Sequence, residues 1–357
     1  MTGEIIRDNQ ALQFFYFSLS LIILGVGFLK ANISSLVGEL YEVGDKRRDS
    51  GFTIFYMGIN LGSFLATIIC VWLGEEYGWS YGFGAAGVGM FFGLVTFVYG
   101  KKYLNGKGES TAPELLKKTF FGIKIEWLIY IISLLSVFVF WQMVQSHEVV
   151  SSSLMVAGVL SAVYILYYSI TQVDKKAREQ LFALTILIVF TIIFWALFEQ
   201  AYTSLNLFAD RVLDRGDIPA GSFLSLNALF IILLAPVFAW LWVKLGKYNP
   251  NTAVKFSLAL VLVGLGFGSL VLGINISEMG KVGMIWLVIT YFLHTCGELC
   301  LSPVGLSAVT KLSPPKIVGF MMGVWFLATA SSEFIASILA NIASVDTSNG
   351  TAPDLNI

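Results

Sequence analysis

The sequence predicts an all-α polytopic membrane protein, and three features lead to that prediction. The 357 residues are 57% hydrophobic and only 13% charged, whereas soluble domains average about 25% charged residues. Ten apolar segments are long enough to cross a bilayer. Basic residues collect in every second connection between those segments, as they do in multi-pass proteins. Together these features favour about ten transmembrane helices.

Each predicted helix satisfies the requirement of about 20 apolar residues for one crossing. The segments are residues 13–41, 51–74, 80–104, 124–145, 151–171, 180–208, 221–245, 252–275, 282–311 and 316–342. Gly44 follows the first segment and is typical of a helix stop. Pro236 and Pro303 lie inside the seventh and ninth segments and are predicted to break them. The fourth and fifth segments have no buried charge, so we expect both at the periphery of the bundle.

The basic residues also predict the orientation, because Lys and Arg accumulate in cytoplasmic connections. Most of the 22 Lys and Arg residues fall in one set of connections: Lys46, Arg47, Arg48, Lys101, Lys102, Lys107, Lys117, Lys118, Lys124, Lys175, Lys176, Arg178, Lys244, Lys247, Lys255, Lys311 and Lys316. The opposite set holds Arg7, Arg211, Arg215 and Lys281. The richer set is therefore expected in the cytoplasm, with Met1 on the outer side.

Composition and motifs argue against several classes of function. Cys70, Cys296 and Cys300 all fall in apolar segments, where we interpret them as packing residues rather than a disulfide or metal site. No His, Cys and carboxylate spacing suggests a metal, and no catalytic triad or phosphate-binding loop stands out. We expect no enzymatic activity, no cofactor and no binding to nucleic acid.

Lys30 and Glu298 are charged residues deep inside apolar segments, where an unpaired charge costs several kcal/mol. At a rise of 1.5 Å per residue, Lys30 lies about 17 Å and Glu298 about 20 Å from the cytoplasmic end of its segment. Two opposite charges at matching depth can pair, or compete for a proton and a ligand. The alternative is a static buried ion pair that joins two helices.

Three other ionisable groups lie within segments. Glu199 is predicted in the outer half of the membrane, where a lone glutamate tends to be protonated; a structural role is the alternative. Glu333 has no assigned role. His294 lies one turn before Glu298, and we interpret it as a buried, hydrogen-bonded neutral histidine, with a part in a proton path as the alternative.

Several polar uncharged side chains also lie inside the apolar segments. Tyr56 and Asn60 share a helix face because they are four residues apart. The others are Asn227, Ser302 and Trp325. Each alone could join two helices, but together with Lys30 and Glu298 they favour a binding cavity near the midplane. A ligand with an amine and a carboxylate would suit it, with Glu298 for the amine and Lys30 and Asn227 for the carboxylate.

Three blocks of sequence resemble the proton-dependent oligopeptide transporter family, a branch of the major facilitator superfamily. The first is GVGFLKANISS at residues 25–35 together with RRDSGFTIFYMGINLG at 47–62. The second is FWALFEQ at 194–200. The third is GELCLSPVGLS at 297–307 together with MMGVWFL at 321–327. The resemblance extends over essentially the whole chain, and the blocks are specific in this order.

The resemblance implies a major facilitator fold in which the first segment corresponds to the family's fourth helix and the last to its eleventh. Residues 1–105 would form an incomplete N-terminal half. Residues 106–178 would supply a cytoplasmic linker and the two extra peripheral helices of prokaryotic members. Residues 179–357 would form the C-terminal half without its last helix. The chain is therefore expected to be truncated at both ends, lacking family helices one to three and twelve.

The resemblance also implies roles for individual residues. Lys30 and Glu298 would form the gate on the cytoplasmic side, and Glu199 would be the protonatable residue that pairs with an arginine of helix one in the family. The peptide pocket would be lined by Tyr56, Asn60, Asn227, Glu298, Ser302 and Trp325.

The function implied is proton-coupled symport of di- and tripeptides by alternating access. Its partners would be these peptides, protons and the lipid bilayer, and the protein would be a monomer in the cytoplasmic membrane of a prokaryote. Two alternatives are a truncated, non-transporting fragment of such a protein and the same fold carrying another solute.

Overall fold

A computed structural model describes residues 9–42, 44–110, 113–216, 218, 220–277 and 281–343. The described chain is almost entirely helical. This follows from its apolar sequence, because a backbone in lipid has to satisfy its own hydrogen bonds and a helix does so within one segment.

Twelve helices follow one another along the chain. They are α1 (Asn9–Glu39), α2 (Arg48–Tyr77), α3 (Trp79–Gly100), α4 (Pro113–Lys117), α5 (Ile125–Met143), α6 (His147–Thr171), α7 (Lys175–Phe198), α8 (Ser204–Arg211), α9 (Ser225–Lys244), α10 (Thr252–Ile276), α11 (Met284–Leu312) and α12 (Val318–Ala343). All of them except α4 lie in ten segments that are long and apolar enough to cross a membrane, with α7 and α8 together in the segment Lys175–Arg211. The ten spans predicted from the sequence are confirmed.

Four two-residue strands, which the sequence analysis did not predict, join the helices. Strand β1 (Thr119–Phe120) pairs antiparallel with β2 (Ile123–Lys124) ahead of α5. Strand β3 (Leu213–Asp214), which follows α8, pairs in parallel with β4 (Val282–Gly283), which precedes α11.

Several helix boundaries have local causes. The Asp174 carboxylate accepts the backbone N–H of Ala177 at 3.1 Å and caps α7, and the Asn251 side chain accepts that of Val254 at 3.0 Å and caps α10. Such caps satisfy N–H groups that the first turn leaves free. Gly78, with φ of 110°, turns the chain between α2 and α3 in a conformation that a residue with a Cβ rarely adopts.

The span predicted over residues 180–208 is present, but it is not one continuous helix. Helix α7 ends at Phe198, a 3₁₀ turn covers Glu199–Tyr202, and α8 begins at Ser204. The polar Gln200 side chain explains the break, because it accepts the Ser204 hydroxyl at 2.8 Å and donates to the Ala336 carbonyl at 3.1 Å. These bonds hold the turn against α12 instead of extending the helix.

The predicted breaks at Pro236 and Pro303 are also wrong, because α9 and α11 run through them. A proline removes one helical hydrogen bond but leaves the others in place. In α11 every residue from 297 to 309 is buried, so packing on all sides holds the helix together across Pro303.

Helix α11 is the centre of the main core. It packs against α2, α7, α9, α10 and α12, and its apolar side chains join those of the neighbouring helices in one buried cluster. The side chains of α5 and α6 are mostly exposed, as predicted for peripheral spans, although Ile165 of α6 reaches the main core. The Gln13 side chain of α1 donates to that of Gln145 at 3.1 Å, at the end of α5.

Candidate functional site

The Glu298 carboxylate lies at the meeting point of three helices. Glu298 belongs to α11 and is 2% exposed. The Tyr56 hydroxyl, from α2, donates to Oε1 at 2.5 Å, and the Asn227 amide, from α9, donates to Oε2 at 2.7 Å. Both carboxylate oxygens are thus hydrogen-bonded, which is the condition under which a buried carboxylate is tolerated.

Thr295 completes the group of polar side chains around Asn227. The Asn227 amide lies 3.2 Å from Thr295 Oγ1 as well as near Glu298. Thr295 is 0% exposed, and its hydroxyl donates to the Tyr291 carbonyl at 2.7 Å. The sequence analysis did not identify Thr295. The signal that could have found it is its position three residues before Glu298, which places both on one face of the helix.

Asn60 adjoins this group through Tyr56. Its amide donates to the Tyr56 carbonyl at 3.0 Å, and both residues are half-buried. Their spacing predicts a shared face, and the structure agrees. The Asn60 amide is thus an additional hydrogen-bond donor to the Tyr56 carbonyl, and this bond helps to fix the helical turn that contains Tyr56.

Ser302 and Trp325 are both buried, at 4% and 3% exposed, and Trp325 belongs to the main core. Ser302 lies one turn after Glu298 on α11. The Trp325 ring packs over Gly305, where a Cβ would collide with it, and meets the Phe256 ring edge-on with centroids 6.3 Å apart. The structure therefore places the Trp325 ring inside the packed core.

Lys30 is not paired with Glu298 in this structure. It is exposed on α1, and its ammonium lies over the Phe326 ring at 4.7 Å from the centroid. The two oxygens of Glu298 already accept hydrogen bonds from Tyr56 and Asn227, so the carboxylate has its partners without Lys30. The ring face supplies part of the lost ion-pair attraction by a cation–π contact.

Glu199 is half-buried at the end of α7, in the 3₁₀ turn that Gln200 fixes to α12. Within the described residues no Lys or Arg lies in ion-pair range of Glu199. The charged group with an electrostatic effect on Glu199 is Glu333 of α12. Glu333 lies three residues before Ala336. The Glu333 side chain is exposed on α12.

His294 has the surroundings of a structural histidine. It is 1% exposed, and its Nε2 lies 3.2 Å from the Val263 carbonyl. Its ring contacts those of Phe198 and Phe267, with centroids 6.0 and 4.9 Å away. This geometry supports the interpretation of a buried, hydrogen-bonded ring between α7, α10 and α11.

A second polar group lies at the N-terminal end of α2, next to the basic residues that connect α1 and α2. It was not predicted from the sequence. Lys255 was predicted in a different basic connection, with Lys244 and Lys247 between α9 and α10, yet it is 1% exposed and bound to Asp49 at 2.8 Å. In the turn just before α2, three hydrogen bonds from Arg47 hold the pKa of the half-buried Asp45 carboxyl below its usual range. Across the described residues, no group of three or more His, Cys, Asp and Glu residues could hold a metal ion.

The arrangement around Glu298 can bind a cation or a proton. A carboxylate that accepts hydrogen bonds from one phenol and one amide keeps lone pairs for a third donor. A substrate ammonium would form a charge-assisted hydrogen bond in this low-dielectric setting, where such bonds are strong. Tyr56, Asn227 and Glu298 belong to different helices, so a ligand here would contact α2, α9 and α11 together.

Comparison with known proteins gives consistent results. The model of the POT family, PTR2, matches residues 3–354. The uncharacterized transporter YclF of Bacillus subtilis is 40% identical, over 92% of this chain and 68% of that protein. A di-/tripeptide transporter of Lactococcus lactis is 34% identical, over 90% of this chain and 67% of that protein.

A similar solved structure is that of a mutant of the peptide transporter POT in complex with alafosfalin. It is 39% identical, with a TM-score of 0.66, and the match covers 93% of this chain and 69% of that one.

Proposed function

Because the chain belongs to the POT family, we propose that it carries di- and tripeptides across the cytoplasmic membrane together with protons. It has the major facilitator superfamily fold of that family and is a multi-pass protein of the prokaryotic inner membrane. Its named relatives are transporters, not enzymes.

The observation that carries the proposal is the buried Glu298 carboxylate held by Tyr56 and Asn227. A peptide has an ammonium at one end, and a buried carboxylate can form a charge-assisted hydrogen bond with an ammonium. In the proposed pocket, Glu298 receives the peptide amine. The lining consists of Tyr56, Asn60, Asn227, Glu298, Ser302 and Trp325.

The peptide carboxylate needs a cation or an amide donor on the opposite wall. Lys30 supplies the cation and Asn227 the amide. In this structure the Lys30 ammonium rests over Phe326, so it has no carboxylate to release before it can bind a substrate. Asn227 has two amide protons, and it can turn from Glu298 towards the peptide.

Proton coupling is assigned to Lys30, Glu199 and Glu298. Protonation of Glu199, which has no Lys or Arg in ion-pair range among the described residues, removes its charge and favours one state of the transporter. Peptide binding and a switch of Glu298 between Lys30 and the substrate amine favour the other. The two states alternate in exposing the midplane pocket to either side of the membrane.

The halves that move are residues 1–105 and residues 179–357, with residues 106–178 as the linker and two peripheral helices. We propose that a single copy of the protein suffices, because the polar groups assigned to the pocket all come from one chain.

Uptake of labelled dialanine into proteoliposomes tests this function. With the interior alkaline, we expect accumulation of peptide that stops when a protonophore collapses the gradient. Glu199→Gln should abolish accumulation driven by the proton gradient but retain exchange of internal for external peptide. Lys30→Ala should likewise abolish accumulation driven by the proton gradient. Lys102 is an exposed lysine over the Tyr103 ring, and Lys102→Ala should behave as the parent.

Two results would contradict the proposal. Uptake that ignores the proton gradient would mean that the fold carries another solute or uses another coupling. A chain that inserts and is folded, but neither binds nor exchanges dialanine, would support the alternative of a non-transporting fragment.

A further inference from the structure

We propose that Asp49, Lys255 and Ser307 form a cytoplasmic latch, a contact between the two halves of the transporter that has to open in each transport cycle. The inference rests on the function proposed above, since a latch has a role only if the halves move. It concerns residues that lie outside the peptide pocket and outside the groups assigned to proton coupling.

The latch is built around one carboxylate. Asp49 lies in the first turn of α2. Its Oδ2 is 2.8 Å from the Lys255 ammonium of α10, and its Oδ1 accepts the Ser307 hydroxyl of α11 at 2.7 Å. A single side chain of the proposed N-terminal half thus binds two helices of the proposed C-terminal half.

Lys255 gives this contact two distinct states. It is 1% exposed, its ammonium lies 4.2 Å from the centroid of the Trp242 ring, and among the described residues its one ion-pair partner is Asp49. A buried ammonium without its carboxylate is strongly unfavourable. Helix α2 therefore cannot move away from α10 unless water reaches Lys255. The contact is either formed, with the Lys255 ammonium buried, or broken, with that ammonium hydrated.

Arg48 strengthens the same junction. Its guanidinium donates to Thr310 Oγ1 of α11 at 2.7 Å and to the Tyr41 carbonyl at 3.1 Å. Arg48 therefore ties α11 to the connection between α1 and α2, directly beside the latch. Two consecutive residues of α2 hold the C-terminal half, one through a buried ion pair and one through hydrogen bonds.

The position of the latch explains what it would close. It lies at the end of α2 that follows Lys46 and Arg47, which the positive-inside rule assigns to the cytoplasm. Tyr56 is seven residues further along α2, about 10 Å at helical rise, and Glu298 is nine residues from Ser307 on α11, about 14 Å. The latch and the Tyr56–Glu298 contact thus join the same two helices at two depths. A path from Glu298 to the cytoplasm between these helices requires the latch to open.

A disulfide across the latch tests whether it opens. Asp49→Cys and Ser307→Cys are combined in a protein whose native cysteines are replaced by Cys70→Ser, Cys296→Ser and Cys300→Ala. Oxidation should lower dialanine exchange at least tenfold, and dithiothreitol should restore it. The matched control is Ser269→Cys with Thr290→Cys, whose hydroxyl oxygens lie 3.0 Å apart between α10 and α11. Both control residues belong to the same half, so oxidation there should leave exchange unchanged.

A second measurement keeps the proposal testable if the cysteine variants fold poorly or the chain does not transport. Spin labels at Arg47→Cys and Lys311→Cys, both exposed at the cytoplasmic ends of α2 and α11, report the distance between the halves by pulsed electron resonance. Lys255→Gln should shift or broaden that distance towards longer values. Lys244→Gln is the matched control, because Lys244 also lies over a tryptophan, Trp240 at 4.1 Å, but is exposed and forms no ion pair among the described residues.

The outcomes separate the two proposals. Full exchange by the oxidised Asp49–Ser307 pair, with the disulfide shown by electrophoresis, overturns the latch. So does an unchanged distance in folded Lys255→Gln. A parent chain that fails to transport while Lys255→Gln lengthens the distance contradicts peptide transport but supports the latch.

Discussion

Tyr56 and Glu298 meet across the junction of α2 and α11, with the phenol oxygen 2.5 Å from the carboxylate. The contact joins the proposed N-terminal half to the centre of the C-terminal core. A change at this point should therefore affect both the affinity of the pocket and the relation between the two helices.

Removing the Tyr56 hydroxyl should weaken peptide transport without unfolding the protein. In Tyr56→Phe, one oxygen of a buried carboxylate loses its donor, at a cost of about 1.5 kcal/mol. We expect KM for dialanine to rise about tenfold. Tyr99→Phe is the control, since Tyr99 is 75% exposed on α3. Equal kinetics of Tyr56→Phe and the parent would contradict the role of this bond.

Asn227 and Thr295 allow the pocket bonds to be ranked. Asn227→Ala removes the 2.7 Å bond to Glu298, which involves a charged acceptor, whereas Thr295→Val removes a longer, neutral partner at 3.2 Å. We expect Asn227→Ala to reduce dipeptide affinity by about 2 kcal/mol and Thr295→Val by about 0.5 kcal/mol. Isothermal titration of both variants and the double variant measures the coupling. A larger effect of Thr295→Val would mean that the important hydrogen bond of the Asn227 amide is to Thr295 rather than to Glu298.

Gly305 should tolerate no larger side chain. Replacing a helical glycine with alanine favours the helix by up to about 1 kcal/mol. At Gly305, however, the new Cβ collides with the buried Trp325 ring, and overpacking typically costs about 1–3 kcal/mol. We expect Gly305→Ala to lower the melting temperature in detergent. Gly323→Ala is the control, because nothing lies within 4 Å of its added Cβ. The same melting temperature for both variants would show that Trp325 is not held as described.

Gln200 should control the behaviour of its neighbour Glu199. Gln200→Leu removes the bond to Ala336 and the acceptor of Ser204, which should cost about 2–3 kcal/mol of stability. Because the turn then separates from α12, we also expect a changed pH dependence of proton-driven uptake, with less effect on peptide exchange. Uptake measured from pH 5 to about pH 8 checks this; a drop in stability with the parent's pH profile would restrict Gln200 to a structural role.

The sequence predicts the helices well because hydropathy is a local property. Ten apolar segments suffice to locate the ten spans, and polar residues inside them suffice to select Tyr56, Asn227 and Glu298. The break after Phe198 was missed because it depends on a bond from Gln200 to Ala336, two residues that are distant in sequence. Pro303 was predicted to break a helix because the packing that holds α11 is not visible in one segment.

Contacts between helices account for the other differences. Lys255 follows a basic connection and is indistinguishable by sequence from the exposed Lys244, yet Asp49 and Trp242 bury it. Lys30 and Glu298 have opposite charge at similar depth, but depth does not fix rotation about a helix axis. Whether the carboxylate meets Lys30 or Tyr56 depends on which faces of α1 and α2 are turned towards α11.

Binding of dialanine and of N-acetyl-dialanine, by the parent and by Glu298→Gln, tests the central claim most directly, because acetylation removes the ammonium that Glu298 is proposed to bind. Titration calorimetry should show that the parent binds dialanine at least tenfold more tightly than the acetylated peptide, and that folded Glu298→Gln loses this preference. Equal affinity of the parent for both peptides, or an unchanged preference in Glu298→Gln, would contradict the account.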